Sequence, residues 1–232
     1  MTLFPEQVDS FLDSSVIGRA RKAGKIEIKC YNIRDYSEDK HKRVDDSLYG
    51  GGFGMLMQPG PVCRCFDAVS EECPGTHALY MSPKGRRFTQ NRAKKLLRYP
   101  SVTILCGHYE GVDQRALDII GAEEISIGDY VLTGGEIPAM AVVDTVSRMV
   151  EGVLPSAECY EQDSISCGLL EGPQYTKPAE FRGLQVPQVL QSGNHELIRR
   201  WRKQQALSIT KQRRKDLYRA YIRAHPEDEE EL

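Results

Sequence analysis

The sequence predicts an α/β fold, with a mostly parallel sheet and helices between its strands, followed by a small helical region. Three observations predict it. Short apolar runs ending in glycine or proline turns alternate with helix-like segments from Ile26 to Val150. The stretch Leu154 to Cys167 is polar and has no period, so it reads as a linker. From about Leu190 onward the chain is helical and basic, without strand signals. The implied division is a first domain over residues 1–153, a linker over 154–168 and a second, smaller domain over 169–232.

The elements follow in order. Leu3-Phe4-Pro5-Glu6 opens a helix that runs to about Arg21 and closes at Gly24. Ile26, Ile28 and Cys30 alternate as a strand. Lys40 to Met57 is polar, then glycine-rich, and reads as a long loop. Val62 to Cys73 is helical. Ala78 to Met81 is a buried strand that ends at Ser82-Pro83-Lys84-Gly85. Asn91 to Leu97 is a helix, Val102 to Cys106 a strand ending at Gly107, and Val112 to Ile119 a helix. The helix Ala139 to Val150 places Ala139, Val142, Val143, Val146 and Val150 on one face and leaves Asp144 and Arg148 on another. Loops after Tyr80-Met81, Leu105-Cys106 and Ile127 fall at the C-terminal ends of strands, where open sheets bind ligands.

A chain of 232 residues, 40% hydrophobic and 28% charged, has the composition of a soluble globular protein. No run reaches membrane-spanning length, and no basic segment leads into an apolar stretch at the N-terminus, so neither a span nor a secretory signal is expected. Seven scattered cysteines read as reduced thiols in a cytosol. The formal net charge of -2 gives no hint of nucleic acid. Local charge does. Lys84, Arg86, Arg87, Arg92, Lys94, Lys95 and Arg98 follow one another without an acidic residue. Arg199, Arg200, Arg202 and Lys203, then Lys211 to Lys215, Arg219 and Arg223, are interleaved with Trp201, Tyr218 and Tyr221. Such clusters suit a phosphate backbone and exposed bases, and equally a solvated helix face. Glu227 to Glu231 reads as an acidic, unstructured tail.

Ile125 to Pro138 carries the strongest signal. Two short apolar runs are cut by Gly128-Asp129 and then by Thr133-Gly134-Gly135-Glu136. A strand thus breaks at a tight turn and re-enters a helix through glycines, which let a planar polar ligand approach the main chain. Tyr49-Gly50-Gly51-Gly52-Phe53-Gly54-Met55 is glycine-rich too, but lacks the Gly-Lys-Ser/Thr ending of a phosphate loop. It suits backbone contact with a base or a ribose, or a flexible surface. Cys63, Cys65, Cys73 and His77 have the wrong spacing for zinc, so no metal site is assigned.

These stretches resemble a known family, the bacterial tRNA (guanine-N1)-methyltransferases that act on guanine 37, next to the anticodon. The resemblance covers nearly the whole chain. It rests on Asp45-Asp46 through Gly52 and Gly54-Met55, Ser82 to Gly85, Cys106 to Asp113, Ser126 to Glu136, Gly168 to Pro178, Ser192 to His195, and Ile198 to Arg202. It implies a SPOUT fold with a C-terminal trefoil knot, a cytoplasmic homodimer, tRNA as partner and S-adenosylmethionine as methyl donor. Mg²⁺ enters as an optional assistant. By motif match the donor lies against Tyr80, Met81, Ser82, Pro83, Gly107, Tyr109, Glu110, Gly111, Ile127, Gly128, Asp129, Tyr130, Val131, Leu132, Gly134 and Gly135. Asp45, Gly51, Gly52, Arg199, Arg200 and Arg202 are expected on the substrate.

There are departures from the pattern. Only Met1-Thr2 precedes the Leu-Phe-Pro-Glu motif, where members carry a short strand, so the strand is truncated or the start placed late. Phe53 stands where a small residue or proline is common, and His108 where some members have arginine.

The chemistry needs a base, because guanine N1 is a poor nucleophile until its proton leaves. It also needs a cation for the charge that then develops on O6. The resemblance assigns the base to Asp163, the cation to Arg148, and a supporting role to Glu110. By residues alone Asp163 reads as a solvated loop acid, and Arg148 as the partner of Asp144 in a surface ion pair. Two other readings stand beside this one: a SPOUT RNA methyltransferase with another target base, and a non-catalytic RNA-binding protein.

Overall fold

The computed structural model describes residues 1–229. The chain forms two compact units, Met1–Ser156 and Ala157–Leu232.

The first unit opens with two helices, α1 (Pro5–Leu12) and α2 (Ser15–Lys22), where the sequence predicts one. Ser14 takes an extended conformation and Ser15 a positive φ of 54°, which ends the first helix although the apolar period runs on through Val8, Leu12 and Ile17. The expected strand Ile26 to Cys30 joins no sheet. Its neighbourhood explains why. Met1 and Thr2 lie between this segment and the sheet edge, and touch it only at its end: Thr2 N–H donates to the Tyr31 carbonyl and Ile33 N–H to that of Thr2, both at 3.0 Å. On the other side the Cys106 amide donates to the Met1 carbonyl at 3.0 Å. Behind Met1 an apolar groove of about 650 Å³ runs on between Lys25–Tyr31 and Val102–Ile104.

The long loop contains a short antiparallel pair, β1 (Asp45–Asp46) with β2 (Leu56–Met57). Helix α3 (Pro59–Glu72) starts at a proline, whose missing N–H costs nothing in a first turn. Then comes β3 (His77–Arg87), followed by α4 (Gln90–Leu96), β4 (Val102–Leu105), α5 (Gln114–Ile120), β5 (Glu123–Ser126) and α6 (Glu136–Ser147). The Thr89 hydroxyl caps α4, the Asp113 carboxylate caps α5, and Gly121 closes α5 in the left-handed region. Strands β3, β4 and β5 form a parallel sheet in the order β4-β3-β5. One core buries Val62, Cys65, Tyr80, Leu105 and Leu117; a second buries Leu79, Met81, Ile125, Ala139 and Val142.

Strand β3 departs from the expected end at Ser82. Met81 and Arg86 both pair with Ile125, so the four residues between them leave the ladder and the strand resumes. Pro83 has no amide to give the ladder, and Gly85 packs so tightly on the Glu124–Ile125 backbone that no Cβ fits.

The second unit contains α7 (Glu158–Glu161), a hairpin of β6 (Glu180–Phe181) and β7 (Leu184–Gln185), α8 (Gln188–Gln191), α9 (His195–Arg213) and α10 (Lys215–Ala224). Residues 157–168, expected as part of a linker, belong to this unit, with Ile165 N–H bonded to the Leu169 carbonyl at 2.7 Å. The Asn194 side chain caps α9 through the amides of Glu196 and Leu197. Leu169, Leu207 and Tyr218 form its core. The acidic tail is not wholly unstructured. Pro226–Glu229 forms a 3-10 turn, and Asp228 is buried against Lys203 Nζ at 2.5 Å and Tyr221 Oη at 2.9 Å. The rest of the predicted tail, Glu230 and Glu231, lies outside the described residues.

Candidate active site

Three loops at the C-terminal ends of β3, β4 and β5 enclose a cleft of about 400 Å³, within the range of small-molecule sites. Tyr80, Met81, Ser82, Pro83 and Lys84 form one wall from the end of β3 and its looped-out residues. Gly107 to Val112 form the second wall, and Ile125 to Gly128 with Tyr130 to Gly135 the third.

The floor explains the glycines. A Cβ on Gly107 would lie 2.8 Å from the Tyr80 ring, and one on Gly135 would lie 2.6 Å from the Cα of Cys106. Neither position has a positive φ, so glycine is required here by close approach, not by turn geometry. Burial raises the Tyr80 phenol, which stays protonated. Tyr109 holds a positive φ of 59° beside Gly111 at 120°, a strained stretch held by Glu110 N–H to the Met55 carbonyl at 2.9 Å. The Glu110 carboxylate rests over Gly54, where a Cβ would come within 2.5 Å of its oxygen.

The structure brings together most of the residues expected on the donor. Fifteen of the sixteen line the cleft, and Asp129 does not. Its carboxylate turns outward to Arg87 at 2.8 Å and is 89% exposed. Lys84, His108, Val112, Ile125, Ser126, Thr133 and Pro138 also line the cleft, although none of them was expected on the donor. The motifs that carry the resemblance contain five of them, and Ile125 and Pro138 bound the glycine-cut stretch Ile125 to Pro138, so the signal was present in less conspicuous positions.

The other expected residues lie elsewhere. Asp45 pairs with Met57 in the β1–β2 ladder, outside the cleft lining. Gly51 and Gly52 stand in open space at φ of 78° and 132°, values that a side chain strains to adopt. Tyr49 and Phe53 beside them are almost fully exposed. Arg148 caps the C-terminal end of α6, its amide bonded to the Asp144 carbonyl at 3.1 Å. Asp163 sits in a turn of the second unit, its carbonyl accepting from the Ser166 amide at 3.1 Å. Arg199, Arg200 and Arg202 are exposed on α9, with Glu196 3.7 Å from Arg200. Cys65 is buried, with its thiol pushed up to about 12 by desolvation, while Cys73 is exposed and His77 is bonded to Glu123. Among the described residues no group of three His, Cys, Asp or Glu side chains is arranged to hold a metal. No helix among them is long and apolar enough to cross a membrane.

Comparison with known proteins decides the family. The family model described as tRNA (Guanine-1)-methyltransferase TrmD matches residues 1–220. The chain belongs to this family. Relatives agree in name across nearly their whole length. A tRNA (guanine-N(1)-)-methyltransferase of Lachnospira eligens is 49% identical over 229 residues, covering 98% of this chain and 97% of the relative. Those of Clostridium acetobutylicum and Moorella thermoacetica are 53% and 51% identical, with 94% and 98% of this chain and 89% and 92% of each relative covered. The TrmD family membership agrees with the resemblance read from the motifs, and with a sheet whose strand ends carry all three cleft walls.

Proposed function

We propose that this protein transfers a methyl group from S-adenosylmethionine to N1 of guanine 37 in tRNA, next to the anticodon. Family membership supports the reaction class, and the cleft supports the donor. The carrying observation is the cleft of about 400 Å³ at the three strand ends, whose walls pack so closely at Gly107 and Gly135 that a Cβ would meet the Tyr80 ring or the Cys106 backbone. The trefoil knot implied by the resemblance is supported by the start of α6 passing against Cys106 and Gly107.

S-adenosylmethionine supplies an electrophilic methyl on a sulfonium centre. Tyr80 to Pro83, Gly107, Tyr109 to Gly111, Ile127, Gly128, Tyr130 to Leu132, Gly134 and Gly135 would hold it, while Asp129 turns away to Arg87. Asp163 takes the N1 proton, and Arg148 faces the charge that builds on O6. Glu110 steadies the base or the donor from its seat over Gly54. No step is given to Mg²⁺. Asp45, Gly51 and Gly52 grip the substrate, and the exposed arginines of α9 bind its phosphates.

The protein works as a homodimer in the cytoplasm. Exposed Tyr130, Val131 and Ile137 beside the cleft support a partner surface there. The catalytic site would be completed across that interface when tRNA arrives.

The test is incubation with tRNA transcripts and labelled donor, followed by mapping of the modified base. Label at N1 of guanine 37 is the expected result. Label at another base identifies a different RNA methyltransferase, and tRNA binding without donor binding identifies a non-catalytic RNA-binding protein.

A further inference from the structure

Glu136 is a carboxylate at the first turn of α6, and its residue is only 2% exposed. A helix N-terminus favours an acid, but a buried charge also needs donors on both oxygens. It has them. Thr2 Oγ1 lies 2.6 Å from Oε1 and His108 Nε2 lies 2.7 Å from Oε2. The Phe4 amide donates to Thr2 Oγ1 at 3.0 Å, occupying a lone pair of the hydroxyl and leaving its hydrogen for Glu136. An ionised carboxylate only accepts, so His108 carries its hydrogen on Nε2. The imidazole packs against the Phe4 ring, centroid to centroid 4.8 Å, and the His108 amide contacts Met57 Sδ at 3.3 Å. Gly134 completes the arrangement, because a Cβ there would fall on the imidazole and on Oε2 together.

The bond spans the cleft walls. His108 belongs to the wall Gly107–Val112, and Glu136 directly follows the wall that ends at Gly134-Gly135. We propose that His108 and Glu136 form a positioning pair that holds these two loops at the separation the methyl donor requires. The pair acts through the loops, and touches the reaction only through donor binding. The proposal rests on the reading of the cleft as the donor site.

Donor affinity measured by calorimetry on the full chain tests it, together with steady-state rates. His108→Ala and Glu136→Ala should each weaken S-adenosylmethionine binding about tenfold and raise its KM to match, with kcat at saturating donor and tRNA affinity unchanged. The double variant should be no worse than the weaker single variant, because one bond is lost either way. His108→Gln and His108→Arg, which keep a donor for Oε2, should recover most of the affinity. A general loss of structure would lower kcat as well and would not be rescued.

Additive single effects, or parental donor affinity in His108→Ala, overturn the proposal. If the Glu136 variant does not fold, the His108 series decides alone, and equal loss in the Ala, Gln and Arg variants counts against the pair. A parent protein that binds no donor overturns the donor-site reading first. One that binds donor normally while the His108 variants do too removes only the pairing.

Discussion

The amide of Gly135 donates to the carbonyl of Gly107 across 2.9 Å, tying the entrance of α6 to the end of β4. The two glycines make opposite demands on the space around that bond. Gly135 lies against backbone, which cannot yield, and Gly107 lies against the Tyr80 side chain, which lines the cleft. A substitution at Gly107 therefore acts on the ligand site first. Gly107→Val should lower S-adenosylmethionine affinity at least about tenfold, or ~1.4 kcal/mol, measured by calorimetry on folded protein. Parental affinity would move the donor to other loops. Gly128→Val should act similarly but more weakly, since its added Cβ meets the exposed Tyr130 ring, which can swing aside, whereas the Tyr80 ring is buried.

Helix α9 presents Arg199, Arg200 and Arg202 to solvent from a helix whose cap and core lie elsewhere. Their reversal to glutamate should leave the fold intact. It should weaken tRNA binding and flatten its dependence on salt, because fewer counterions are released on binding. Donor binding should persist, since the cleft is built wholly from the first unit. Binding measured between about 50 and 200 mM salt gives the slope. An unchanged slope and affinity would make the helix an ordinary solvated face.

Asp228 ties the end of the second unit to α9 and α10 through Lys203 and Tyr221. Burial alone would raise its carboxyl, but the lysine and the phenol outweigh burial and hold it below the usual range. The folded value is thus lower than the unfolded one. Its contribution is complete above the unfolded value near ~4 and fades as pH falls through the folded value. Asp228→Asn should destabilise the protein by ~1–3 kcal/mol at neutral pH. Thermal unfolding of parent and variant should converge in acid, once the pH falls below the folded value. A gap that stays constant with pH would show that shape, not charge, is what Asp228 supplies.

The parallel sheet was legible because β3, β4 and β5 are short apolar runs that end in glycine or polar turns. Fifteen cleft residues were legible through the motif match to the family, and the strand ends account for where they lie. What the sequence hid is tertiary. Ile26, Ile28 and Cys30 alternate as a strand should, yet pairing depends on a neighbour, and Met1-Thr2 reaches only the end of the segment. The looped-out Ser82 to Gly85 reads as a strand end because nothing local shows the ladder resuming at Arg86. Asp129 lies in the right turn with its carboxylate facing the wrong way, toward an arginine 42 positions earlier. Glu136 reads as an ordinary acid in a first helical turn, and its burial shows only in its bonds to Thr2, 134 positions away, and to His108, 28 positions away.

The division of labour between Asp163 and Arg148 gives the sharpest prediction. Asp163→Asn keeps the shape and removes the proton acceptor, so methyl transfer should fall ~10²–10⁴-fold. Donor and tRNA affinities should change little, because the lost interaction belongs to the transition state. Arg148→Ala should also lose mostly rate, since O6 gains charge only as the proton leaves. The double variant should lose less than the product of the two, as both residues act on one developing charge. Single-turnover rates with saturating donor and tRNA read all three. Raising the pH should partly restore Asp163→Asn, because solvent hydroxide can then remove the N1 proton, and should do little for Arg148→Ala. If Asp163→Asn transfers methyl at the parental rate, the base lies elsewhere. Glu110 is then the next candidate, because its carboxylate sits over Gly54 in a loop that lines the cleft.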